Sequence, residues 1–126
     1  MVKEVISTKK APGAIGPYSQ AIKVDNSIFV SGQLPVNPQT GEIPEDIKEQ
    51  TKQSLNNVKE ILETAGASLE DVVKVTVFLK DLLNFSEVNE IYGEFFAKNY
   101  PARCCVEVSR LPKDAGVEIE VMAVLE

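Results

Sequence analysis

Apolar and polar positions follow two rhythms along this chain, and together they lay out its elements. Cys104, Val106 and Val108 alternate with Arg103, Cys105, Glu107 and Ser109, and Val117, Ile119, Val121 and Ala123 alternate with Glu118, Glu120 and Met122. A period of two puts successive side chains on opposite faces of a strand, so residues 101–120 predict two half-buried strands joined by the breaker run Pro112-Lys113-Asp114-Ala115-Gly116. Val73, Val75, Val77 and Leu79, set against Lys74, Thr76 and Phe78, predict another strand. Residues 21–24 and 28–30 flank Asp25-Asn26-Ser27 and predict a hairpin, because Asp and Asn tolerate left-handed angles. Its second arm runs on into Ser31-Gly32-Gln33. Residues 2–8 add a short strand, and the Pro/Gly-rich run 9–17 a loop.

Helical spacing marks two further segments. Ile47, Thr51, Leu55, Val58, Leu62 and Ala65 predict a helix from about Pro44 or Asp46 to Ala65, with Asp46 and Glu49 as a capping box and Gly66 as the C-terminal stop. Its outer face is Lys, Glu, Gln and Asn, and no chemistry is assigned to it. Residues 68–71 predict one capped turn. A second helix opens at Asn84, carries the apolar stripe Val88, Ile91, Tyr92, Phe95 and Phe96, and stops before Pro101. An aromatic stripe at this spacing reads as core.

Two helices cover only one face of such a sheet. With the aliphatic sets turned to the helices, the other face carries Phe29, Ser31, Gln33, Thr76, Phe78, Arg103, Cys105, Glu118, Glu120 and Met122. That mixture is too apolar for open water and too charged for a dry core, so it predicts a subunit interface with a wet, polar pocket. Arg103 beside two carboxylates reads either as a solvated ion pair, the commoner case, or as a small anion site.

Composition narrows the possibilities. A chain of 126 residues, 44% apolar and 25% charged, fits a single soluble domain, residues 1–126. A net charge of -6 disfavours a broad nucleic-acid surface, and no apolar run is long enough to span a bilayer. The two cysteines are adjacent, so a strand points them apart and no bridge between them is expected; free thiols and the lack of an export signal point to the cytoplasm. There is no histidine and no Cys-x-x-Cys, so no metal site is expected, and proton transfer falls to carboxylates and water.

Several blocks then carry a resemblance over nearly the whole chain. Pro101-Ala102-Arg103-x-Cys105, the Pro/Gly turn and Glu118-Ile119-Glu120 are similar to the signature of the RidA family, the reactive-intermediate (imine) deaminases. Gly16-Pro17-Tyr18-Ser19-Gln20-Ala21, Ser31-Gly32-Gln33-Leu34-Pro35, residues 54–58 and residues 75–81 extend it. The resemblance implies a chorismate-mutase-like α+β fold: one mixed sheet of about six strands with two helices on one face. It also implies a homotrimer with clefts between subunits, and hydrolysis of 2-imino acids to 2-oxo acids and ammonia, with no cofactor because an imine is already electrophilic. Arg103 would clamp the substrate carboxylate and Glu118 would move protons, its pKa raised by partial burial. Ser31 and Gly32, Tyr18, Asn89 and the backbone of Cys105 would line the cleft, with Phe85 close by.

Each assignment has a rival reading. Tyr18 alone reads as half-buried packing, and Gly32 as a simple bulge. Cys105 reads as a nucleophile if Arg103 lowers its pKa, whereas Cys104 reads as plain core. Glu118 and Glu120 face the same way, and only the family motif selects Glu118. A non-catalytic sensor of small carboxylates and a ribonuclease or translation inhibitor remain as alternative functions.

Overall fold

The computed structural model describes residues 2–126. The strands are β1 (Lys3–Ile6), β2 (Ala21–Val24), β3 (Ser27–Gln33), β4 (Val72–Leu79), β5 (Ala102–Glu107) and β6 (Val117–Val124); the helices are α1 (Ile47–Thr64) and α2 (Phe85–Phe95). They form one six-stranded sheet in the order β1-β2-β3-β6-β4-β5. Only β4 and β5 run parallel, with α2 as their crossover; every other pair is antiparallel.

Local chemistry sets the element ends. Asp25 takes a left-handed φ of 52° in the β2–β3 turn. The Asp46 carboxylate accepts from Glu49 N at 3.0 Å and caps α1, and Gly66 (φ 87°) lies just beyond its end. Asn84 makes no side-chain cap to α2, because a 3₁₀ turn over Leu82–Asn84, capped by Asp81, leads straight into the helix.

The core lies between the sheet and both helices. Leu55, Val58, Ile61 and Leu62 of α1 and Val88, Tyr92 and Phe96 of the α2 segment pack with Ile28, Val30, Val75, Val77, Leu79, Val117, Ile119 and Val121. Each large aliphatic side chain fully buried there contributes about 1.5–3 kcal/mol. The opposite face lacks cover. It presents Phe29, Thr76, Phe78, Glu118, Glu120 and Met122, and Phe29 is 46% exposed.

Several expectations about faces need correction. The two strands of residues 101–120 are not neighbours in the sheet, because β4 lies between β5 and β6. Arg103 and Cys105 do not share a face with Glu118 and Glu120. Arg103 is level with Val75 and Cys105 with Val77, both turned to the helices, while Thr76 is level with Cys104 and Glu120, and Phe78 with Val106 and Glu118. It is therefore Cys104 and Val106 that lie on the open face. Cys104 is exposed rather than core, and Cys105, half-buried, packs against the core. Finally, a bulge between Val30 and Gln33 turns Gln33 inward, level with Ile119, where it is buried. A similar irregularity between Val72 and Lys74 leaves Val73 exposed and buries Val72 instead.

Candidate active site

The bulge that turns Gln33 inward builds the first half of the site. Ser31 N donates to Gln20 O at 2.9 Å and its hydroxyl donates to Ser19 O at 2.6 Å, which ties the bulge to the segment leading out of the Pro/Gly loop. Gly32 is then left against the side chain of Glu118. A Cβ added at Gly32 would overlap that carboxylate and sit 2.9 Å from its Cδ, so the glycine here provides close approach, with no special φ involved. Burial, with the Glu120 carboxylate as a second cause, raises the pKa of Glu118 above the ordinary glutamate value.

Beside Gly32 opens a groove of about 370 Å³ walled by Gly13, Ile15, Tyr18, Leu34 and Asn37, with Lys113 at its rim. Tyr18 is exposed there, its hydroxyl accepting from Ile15 N at 3.3 Å, so packing does not account for it. Glu120 stands elsewhere on the open face, in a shallow depression with Phe29, Lys74, Thr76 and Met122. Position thus separates two glutamates that alternation alone leaves equivalent.

The second half is on the other side of the sheet, at the β5 edge. Arg103 Nη1 donates to Asn89 Oδ1 at 2.6 Å. Its Cζ lies 4.6 Å from the Tyr92 ring centroid and 5.6 Å from that of Phe85. The ion pairs among the described residues are Lys48–Glu90, Lys52–Glu49 and Lys80–Asp114, and none uses Arg103. A groove of about 370 Å³ lined by Asn89, Tyr92, Gly93, Tyr100 and Pro101 adjoins the guanidinium. Cys105 lies two residues along the same face of β5, yet burial raises its pKa, and this outweighs the opposing pull of Arg103. A thiol in that state is a poor nucleophile at neutral pH. Among the described residues, no three Cys, Asp or Glu side chains converge as a metal site would need.

The expected site residues thus fall into two groups: Ser31, Gly32, Tyr18 and Glu118 on one side, Arg103, Asn89 and Cys105 on the other. A single chain does not bring them together. Sequence reading also missed part of the frame. Gln20 reaches across the loop, accepting from Thr8 N at 2.7 Å and donating to Pro12 O at 2.8 Å. Asn57 of α1 donates to Leu34 O and Val36 O, each at 3.0 Å, and holds the outgoing segment of the same groove. Gln50 donates to Pro44 O and accepts from Gly116 N, at 2.8 and 2.9 Å. The signal was present: Gln50, Ser54, Asn57 and Ile61 repeat at four and three residues, a second buried stripe beside the apolar one.

Gly32→Ala is expected to cut turnover about tenfold or more, because the new methyl must push the Glu118 carboxylate aside. The obstructing atoms are the end of a flexible side chain, so the melting temperature should barely move. Measuring kcat and Tm on one preparation checks both statements.

The fold defines a small α+β class: one mixed sheet, two helices on one side, and an arginine and a glutamate as the groups available for chemistry. Within that class the chain belongs to the RidA family. The family described as Endoribonuclease L-PSP matches residues 8–125. A RutC family protein of Pyrococcus abyssi is 64% identical over 127 residues, 100% of both chains. The 2-iminobutanoate/2-iminopropanoate deaminase of Escherichia coli is 53% identical over 126 residues, 98% of both. The crystal structure of E. coli TdcF with bound serine superposes with a TM-score of 0.95 at 51% identity, covering 98% of this chain and 99% of that one.

Proposed function

We propose that the protein hydrolyses reactive 2-imino acids to 2-oxo acids and ammonia, without a cofactor, in clefts between the subunits of a homotrimer. The observation that carries this reading is Arg103. Its guanidinium is held by Asn89 and Tyr92 and has no carboxylate partner among the described residues. A planar fork left open in this way suits a small carboxylate, which it grips through two parallel charge-assisted hydrogen bonds, each hydrogen bond of that kind contributing about 1.5–3 kcal/mol.

The uncovered sheet face supplies the rest. When the β5 edge of one subunit docks over the open face of the next, Arg103 meets the neighbour's Gly32 and Glu118. The substrate carboxylate then sits on Arg103 with its imine carbon toward Glu118. Glu118 takes a proton from water as the oxygen adds to that carbon. That proton goes to the imine nitrogen and gives a carbinolamine; Glu118 then takes the carbinolamine hydroxyl proton and delivers it to the nitrogen, so the C–N bond breaks and ammonia leaves as the carbonyl forms. A carboxyl with a raised pKa is suited to both proton transfers.

The assay couples the protein to a PLP-dependent dehydratase that releases the imine. Wild type should accelerate formation of the 2-oxo acid, and Arg103→Ala should not. Cys105→Ala should keep most of the activity; a loss of about a thousandfold with assembly intact would return the thiol to the mechanism. The serine held by TdcF favours a second reading, a sensor of small carboxylates that binds without turnover. Saturable 2-oxo acid binding with no acceleration in the coupled assay would select it. The net charge of -6 gives no support to an RNA substrate.

A further inference from the structure

We propose that Tyr92 is the positioning residue for Arg103: its ring is a fixed seat that holds the guanidinium with the fork already turned toward a carboxylate. The proposal rests on the reading of Arg103 as the carboxylate clamp and adds a residue that the aromatic stripe alone assigned to the core.

Phe85, Asn89 and Tyr92 are spaced by four and three residues, so they form one line down α2 facing the β5 edge. Each contributes differently to Arg103. Asn89 takes one Nη1 proton at 2.6 Å and fixes the rotation of the guanidinium plane. Both rings lie within the roughly 6 Å over which a cation is drawn to an aromatic face, and Tyr92 is the nearer at 4.6 Å. It is also the immobile one. Tyr92 is 6% exposed and stacks on Phe96 at 4.7 Å, whereas Phe85 is 36% exposed.

The Tyr92 hydroxyl is buried and finds no hydrogen-bond partner, so at this position the ring face rather than the phenol is used. The seat also borders the groove shared with Tyr100 and Pro101 instead of lying sealed in the core. A long arginine side chain on an edge strand otherwise samples many rotamers, and a ligand has to freeze them on binding. Seating it beforehand removes that cost from each binding event.

The test measures 2-oxobutanoate affinity by calorimetry on the assembled protein, together with kcat and KM. The variants are Tyr92→Phe, Tyr92→Leu, Arg103→Ala and the double variant Tyr92→Leu/Arg103→Ala. Tyr92→Phe should stay within about twofold of wild-type affinity and melt no lower, since it keeps the ring and drops an unpaired hydroxyl. Tyr92→Leu should weaken affinity and raise KM about tenfold with kcat little changed, and should cost nothing further once Arg103 is Ala. Fluorinated phenylalanines at position 92 keep the shape and empty the π face; affinity should fall with each added fluorine, which covers the case of Tyr92→Leu failing to fold. An equal cost of Tyr92→Leu in both backgrounds, or fluorination without effect, overturns the proposal. Failure of the substrate reading leaves a different mark, because wild type itself would not bind 2-oxobutanoate. Nitrogen-15 NMR of the Arg103 side chain then decides the matter. Guanidinium rotation should be slow in wild type and Tyr92→Phe and fast in fluorinated or Leu variants; equal rates in all of them overturn the seat.

Discussion

Mixing two inactive variants should restore activity. Arg103→Ala and Glu118→Gln each remove one half of the proposed cleft, and register places the two residues on opposite faces of one sheet. Within a chain the two side chains are divided by the sheet itself. They can act on one substrate only across a subunit boundary. In the proposed trimer, co-expressed from equal amounts of the two variants, half of the subunits offer an intact Arg103 and half an intact Glu118. About a quarter of the clefts then pair both, so the mixture should recover about a quarter of wild-type turnover from a nearly silent background. Sedimentation equilibrium on the same sample should give the mass of a trimer. A trimer that stays silent would place the whole reaction within one subunit, contrary to the face assignment. A monomer at all concentrations would remove the cleft altogether.

The second large effect separates the glutamates. Glu118→Gln keeps the shape of the side chain that packs against Gly32 but accepts no proton, so kcat should fall by about 10²–10⁴-fold while 2-oxo acid binding persists. Glu120→Gln, in its own depression beside Lys74 and Met122, should leave kcat within a small factor. Arg103→Lys keeps the charge and loses the fork, so it should weaken product binding and lower kcat/KM together. Loss of turnover in Glu120→Gln with Glu118→Gln active would reverse the assignment.

The pH dependence of Glu118 provides a check that does not use substrate. Its folded pKa is raised, chiefly by burial. A carboxyl shifted in that direction favours the folded state below its unfolded pKa, and the benefit is lost as pH rises through the folded pKa. Glu118→Gln should therefore melt higher than wild type at neutral pH, and the gap should close on acidification through the range just above ordinary glutamate values. The group is only half-buried, so the difference should be small. Over the same range, wild-type kcat/KM should rise with pH as the base ionises.

What the sequence determined by itself was whatever depends on short-range pattern. The period-two runs, the Asp25-Asn26 turn, the Asp46 cap and the two helical stripes are local consequences of side-chain size and backbone preference, and they are found where the spacing placed them, except that the irregularity after Val72 leaves Val73 exposed. Family membership was legible too, because separate blocks keep their order along the chain. Alternation also showed which residues share a face within one strand, but not which way that face points. In β5 the aliphatic set was expected to mark the core, yet Cys104 and Val106 lie on the open face while Arg103 and Cys105 turn to the helices. Hydrophobicity records that a side chain needs cover and does not say what supplies it. The bulge before Gln33 inverted one further position, since a single extra residue reverses every face that follows it. Only the parallel pairing of β5 with β4, a contact between segments far apart in sequence, decided that Arg103 and Glu118 stand on opposite sides of the sheet.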